Sequence, residues 1–210
     1  MSYIMTYSSL LDDARRYMER GFTPASDPLV FEQLPRMVSL AERRIARDLK
    51  IQGFIRAVST PLAAGVAVYR KPDRWRDTVS ITAGGAPLFP RSYEYLRSYW
   101  SNESDTGTPE FYADYDYNHW LFAPTPSAGS TLEVLYYEQP ALLSEENQTN
   151  WFTEYTPDAL LYGTLVEAAV FLKNDARAQS LTPIYAQALQ SIGAEDLKRI
   201  TDRSSIRAEA

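Results

Sequence analysis

Leu135-Tyr136-Tyr137-Glu138-Gln139-Pro140 closes on a residue that cannot donate to a sheet ladder, and Tyr155-Thr156-Pro157-Asp158-Ala159-Leu160-Leu161 opens with the signals of a helix start. The first stretch is aromatic and strand-like. In the second, Thr156 is an N-cap, Pro157 fits the first turn, and Asp158 sits near the positive end of the helix dipole. Between them the chain changes texture, and that change sets the fold class. Downstream, Leu161, Leu165, Ala168, Ala169 and Leu172 form an apolar helical face. Thr182-Pro183 repeats the start signal for a last helix carrying Tyr185, Ala188, Leu189 and Ile192.

Upstream of Pro140, back to Phe54, short β-branched and aromatic runs alternate with Gly, Pro and Asn, as in antiparallel strands. Strands are expected at Phe54–Thr60, Gly65–Tyr69, Val79–Ala83, Phe111–Tyr117, Trp120–Ala123 and Leu132–Tyr137. Ala83-Gly84-Gly85-Ala86 reads as a hairpin turn, because adjacent glycines accept the positive φ of primed turns. Arg91–Trp100 reads as a small helix across one sheet.

Before Phe54 the texture is helical again. Leu10, Ala14, Tyr17 and Met18 recur at helical spacing within Thr6–Arg20, with Gly21 as the left-handed C′ residue. A turn-rich link carrying Pro24, Asp27 and Pro28 leads to Pro35, placed at the first turn of a second helix that runs to about Lys50. Its apolar stripe is Leu34, Val38, Ala41, Ile45 and Leu49, and Arg43, Arg47 and Lys50 form a separate basic face. The layout is α+β: a helical bundle from both ends of the chain (1–53 and 141–199), an inserted antiparallel β meander (54–140), and a flexible tail (200–210) with too few apolar residues to pack alone.

Composition narrows the function. The chain has 210 residues, no cysteine, one histidine and 15 tyrosines, with a formal net charge of −6. Without cysteine there are no disulfides, thiolate zinc sites, iron–sulfur clusters or thiol nucleophile. An acidic surface does not hold nucleic acid through its phosphates. No segment approaches the roughly 20 apolar residues of a bilayer span, and Met1–Tyr7 lacks the basic and apolar regions of a signal peptide, so a soluble, non-secreted protein is expected.

The search for chemistry returns nothing. His119, between Asn118 and Trp120, reads as a solvated or hydrogen-bonded turn histidine, because one histidine builds no metal site and a general base would require an oriented carboxylate and a nucleophile that sequence cannot locate. Asp114-x-Asp116-x-Asn118 opens like a calcium loop. However, His119 stands where the loop needs Gly and Thr125 where it needs Glu, so the three polar residues are expected to share a solvent or partner face of a strand. No phosphate-cradling glycine motif occurs. Arg43, Arg47 and Lys50 are interleaved with Glu42 and Asp48, which blunt their field, so a solvated face or an intersubunit ion-pair seam is favoured over DNA contact. Tyr93, Tyr95, Tyr99 and Trp100 are expected to pack on the sheet, with a platform for a sugar or a partner as the other reading.

Several stretches, taken in order, carry a resemblance. They are Leu40-Ala41-Glu42-Arg43-Arg44-Ile45-Ala46-Arg47-Asp48-Leu49, Arg91 to Arg97, Gly107-Thr108-Pro109-Glu110-Phe111-Tyr112, and Trp120-Leu121-Phe122-Ala123-Pro124-Thr125-Pro126. After them come Leu135 to Pro140, Leu143-Ser144, Thr149-Asn150-Trp151-Phe152, and Tyr155 to Gly163. Together, over Ala41 to Ala188, they resemble the head-to-tail adaptor family of tailed phages, the short-tailed-phage adaptors related to tail tubular protein A. Residues 1–40 resemble it only loosely.

The resemblance implies a non-enzymatic virion structural protein of the neck, assembled in the host cytoplasm without a cofactor or metal. Its implied partners are the portal protein, the tail nozzle protein and further copies of itself in a dodecameric ring, with DNA passing through a central channel without sequence-specific binding. No membrane is involved. The expected partner interface comprises Arg43, Arg47 and Lys50 on the second helix and Ile200, Arg203, Ile206 and Arg207 in the tail. The alternatives are a head-completion neck protein of a long-tailed phage, a carbohydrate-binding β module using exposed Tyr and Trp, and an enzyme of unrecognised type.

Overall fold

A computed structural model describes residues 4–208, and side-chain surroundings through residue 198. The protein is α+β. It divides into a helical unit, built from the chain up to Gly53 and from Pro140 onward, and a β unit, Phe54–Gln139.

The helical unit opens with α1, Tyr7–Met18. Thr6 caps it in a reciprocal capping box with Ser9, and Glu19 closes it in the left-handed region, two positions before the Gly21 read from sequence. Helix α2 is Pro28–Asp48, capped by Asp27 with Pro28 in its first turn, so Pro35 lies inside the helix and not at its start. An interior proline costs about 3 kcal/mol. Val30 and Leu34, both fully buried, lie on the turns that a start at Pro35 would leave outside the helix. At about 1.5–3 kcal/mol each they offset that cost.

Beyond the β unit come α4 (Trp151–Tyr155), α5 (Pro157–Phe171) and α6 (Asp175–Ala208). Helix α5 is the centre of the unit and packs against α1, α2 and α6. It is buried nearly all round, from Ala159 and Leu160 to Ala168 and Ala169. Gly163 permits the closest approach: a Cβ there would stand 3.2 Å from the Tyr185 ring and 3.4 Å from Ala41. The last helix does not begin at Thr182-Pro183. Asn174 caps it through the Arg177 amide, and Pro183 is interior, with the Thr182 hydroxyl donating to the Ala178 carbonyl. Its backbone also stays helical through 200–208, the stretch set apart from sequence as a loose tail. No proline and no glycine follows Gly193 to interrupt it.

The β unit contains β1 (Ile55–Leu62), β2 (Val68–Arg70), β3 (Trp75–Ala83), β4 (Ala86–Pro90), α3 (Tyr93–Tyr99), β5 (Thr106–Gly107), β6 (Phe111–Asp114), β7 (His119–Ala123), β8 (Thr125–Pro126) and β9 (Ser130–Glu138). It is not a simple antiparallel meander. The seven-stranded sheet runs β1-β9-β3-β4-β6-β7-β2, and β4 pairs with β6 in parallel. Parallel neighbours need a crossover, and α3 is carried on that connection. The β3–β4 hairpin turns at Gly84 and Gly85, both at positive φ, as two consecutive glycines demand.

One core fills the concave side: Leu62, Ile81, Leu88, Trp120, Phe122, Leu132, Val134 and Tyr136, with Tyr69 packed against it. Both edge strands reach this core, through Leu62 and Tyr69, so the sheet curls around it. The alternate residues Leu121 and Ala123 face a second cluster, with Ala67 and Ala113, that Leu96 of α3 covers. Strand β7 is therefore buried on both faces, which explains its unbroken apolar run.

Candidate interaction surfaces

Helix periodicity decides which α2 charges face out. Glu42 follows Val38 by one turn and precedes Ile45, so it falls on the buried stripe and is fully enclosed. It is therefore not on the exposed basic face where the sequence reading set it, whereas Asp48 is exposed. Arg36, Leu40, Arg43 and Arg47 instead follow one another along the exposed side, with Lys50 also exposed beyond the helix end. Among the described residues Arg36, Arg43 and Arg47 form no ion pair, whereas Arg44 pairs with Glu167 at 2.6 Å. Leu40, 46% exposed, lies within this row. The side chains of Ile200, Arg203, Ile206 and Arg207 lie outside the described residues.

Inside, Glu42 ties α2 to the segment that enters the helical unit. Its Oε1 accepts from the Leu143 amide at 3.1 Å and from Asn150 Nδ2 at 2.6 Å, and its Oε2 from the same amide at 3.2 Å. Asn150 in turn caps α4 by accepting from the Phe152 and Thr153 amides. Burial pushes the Glu42 carboxyl up to about 7, against the hydrogen bonds from Asn150 and Leu143 and the nearby Arg43 charge, which act downward. The same segment clasps α1, because the Gln148 carbonyl and side chain accept from the Tyr7 and Ser8 amides.

The β unit buries the opposite charge. Lys71 Nζ lies 2.6 Å from Asp114 Oδ1, donates to the Asp116 carbonyl at 3.2 Å, and sits 3.8 Å from the centre of the Trp75 ring. Asp114 is therefore engaged by a cation of the chain itself. Residues 115–118 form the β6–β7 turn and not a continuation of the strand, because the Tyr115 and Asp116 amides both donate to the His119 carbonyl. His119 Nδ1 is 2.9 Å from both Asp116 carboxylate oxygens. Desolvation acts upward on Asp116. Hydrogen bonds from His119 and the Asn118 amide outweigh it and hold the carboxyl below its ordinary value. Among the described residues no group of three His, Asp or Glu side chains is placed to hold a metal.

The tyrosines of α3 depart from the packed-patch expectation. Leu96 is fully buried, whereas Tyr93, Tyr95 and Tyr99 are 38%, 37% and 67% exposed. Tyr95 meets Tyr99 and Phe111, and Tyr93 meets Tyr115, in ring contacts of 4.8–6.3 Å. Arg91 lies over the Tyr95 and Phe111 rings and Arg97 over Tyr93. Sequence reading left Arg91 and Phe89 out of this group. The parallel β4–β6 pairing, which sets Phe89 beside Phe111, has no local signal.

Two units with charged and aromatic outer faces, and charged groups engaged within the fold, describe a protein that makes contacts. That is the class of a structural assembly component. A family model described as SU10 adaptor protein matches residues 5–208, and the chain belongs to that family. It is a phage adaptor, a structural component of the virion, and this membership implies a non-enzymatic role. No individual curated protein matches the chain. Among the described residues no helix is long and apolar enough to cross a membrane.

Proposed function

We propose that this chain is the head-to-tail adaptor of its virion. It forms a dodecameric ring that docks on the portal protein, receives the tail nozzle protein and leaves a central channel for DNA. The observation that carries the reading is the family match over residues 5–208, which takes in both units. A closed ring needs two different complementary faces on each subunit, and the exposed row of α2 has the character of one. Arg43, Arg47 and Lys50, with Ile200, Arg203, Ile206 and Arg207 near the end of α6, form the partner interface in this reading. The net charge of −6 suits a conduit, because a wall that gripped many phosphates would retard the duplex.

Negative-stain imaging of the full chain mixed with its portal tests the reading. Rings seated on the portal are expected, and monomers beside assembled portal would overturn it. Deleting Ser204–Ala210 is expected to weaken attachment to the portal while leaving the melting temperature of the free chain nearly unchanged.

A further inference from the structure

We propose that the aromatic surface of the β unit, centred on Arg91 and Tyr95, is the seat of a second copy of this chain, which meets it through Glu154, Tyr155 and Asp158. The proposal rests on the ring reading and names the faces that would close the ring.

Size is the first argument. Phe89, Tyr93, Tyr95, Tyr99 and Tyr115 are 54%, 38%, 37%, 67% and 45% exposed. At about 200 Å² per aromatic side chain they present on the order of 500 Å² of ring surface. Tyr95 touches Tyr99 and Phe111, and Tyr93 touches Tyr115, so the rings are held in two pre-ordered groups. The two groups together supply part of the roughly 800 Å² per partner in a stable interface. Ordering them on binding costs little.

Charge is the second. The Arg91 guanidinium lies 5.7 Å from the Tyr95 ring centre and 5.3 Å from that of Phe111, and it has no carboxylate partner among the described residues. Its Nη1 donates to the Pro90 carbonyl at 2.9 Å, and the remaining guanidinium donors, on an exposed side chain, are left to meet a carboxylate. The helical unit offers the complement. Tyr155 is 66% exposed and stacks on Trp151 at 5.4 Å, and Glu154 and Asp158 beside it are exposed and form no ion pair among the described residues. Ring meets ring and guanidinium meets carboxylate. The two faces differ, as a head-to-tail ring requires.

The test is charge reversal read by ring assembly on the portal, using full-length Arg91→Glu and full-length Glu154→Arg with Asp158→Arg. Each variant alone is expected to raise the assembly midpoint concentration at least roughly tenfold, as for a desolvated interface arginine. An equimolar mixture is expected to restore rings, because every contact in an alternating ring again joins opposite charges. Tyr99→Ala changes only an exposed side chain and is expected to weaken assembly with an unchanged circular dichroism spectrum. If the wild type forms no ring with portal, the ring reading falls and the proposal with it. If wild-type rings form and the variants assemble equally well, or the mixture does no better than either variant, the face assignment alone is wrong. Loss of portal attachment with intact subunit contact in Arg91→Glu would assign the surface to the portal and overturn the second-copy occupant.

Discussion

Among the described residues the two units each bury one charged side chain, and they satisfy it by different means. Glu42 in the helical unit has no cation bonded to it among the described residues. Backbone and amide donors, the Leu143 amide and Asn150 Nδ2, hold it where it is fully enclosed. Lys71 in the β unit has a full counter-charge in Asp114 and the Trp75 ring, and the Asp114 side chain remains 67% exposed. Neutral donors cannot repay the desolvation of an ion completely, so the Glu42 proton is held tightly. A half-solvated carboxylate and a ring face keep Lys71 near a route to water. The buried acid is thus a latch on which a junction depends, and the buried base is closer to local packing.

That difference predicts a ranking. Glu42→Ala strands the Leu143 amide and Asn150 together and opens a cavity. A loss of about 3 kcal/mol is expected in urea unfolding, with hydrogen-exchange protection falling first in α1, α2 and α4. A loss below about 1 kcal/mol would show that the latch holds nothing.

The pH dependence should be of nearly the same size. The folded-state value of about 7 lies above the ordinary 4.5, so the folded protein binds this proton more tightly than the unfolded chain. The contribution is full below about pH 4.5, declines as pH rises to about 7, and is level above that. The shift corresponds to about 3 kcal/mol. Glu42→Gln, compared with the wild type at pH 5 and pH 7.5, should remove that part of the slope. Parallel pH profiles would contradict the desolvation account.

Lys71→Met preserves the stem volume and lets Asp114 return to water. A loss of about 1 kcal/mol is expected, confined by hydrogen exchange to β6, β7 and the turn between them. A loss as large as that of Glu42→Ala would erase the contrast between the units. His119→Ala removes an exposed contact to Asp116 and should change stability by less than about 0.5 kcal/mol while leaving virion assembly intact. Loss of infectivity with a folded variant would return the enzyme reading to consideration.

Local signals account for most of the elements. The Pro157-Asp158 helix start, the apolar stripe Val38-Ala41-Ile45, the glycine pair at 84–85 and the alternation Leu132-Val134-Tyr136 are all written in short windows, because capping, helical period and pleat act over a few residues. The same windows misplaced two helix starts. Pro35 and Pro183 carry an N-terminal signal; burial of Val30 and Leu34 ahead of Pro35 overrode the first, and the Asn174 cap starts α6 a further two turns ahead of Pro183.

The candidate surfaces were only partly legible. Arg43 and Arg47 were found by period alone, but Glu42 was assigned to their face although its spacing from Val38 and Ile45 places it inside. Arg91, Phe89 and Tyr95 were brought to Phe111 only through the parallel β4–β6 pairing and the crossover of α3.

By itself the sequence determined the α+β class, the order of textures along the chain and the absence of cysteine chemistry, because these follow from composition and local periodicity. Tertiary structure alone decided the order β1-β9-β3-β4-β6-β7-β2, the clasp of residue 143 on residue 42, and the pairing of Lys71 with Asp114. Each joins residues far apart in the chain. Such contacts depend on how completely the whole core closes, which no local window of sequence contains.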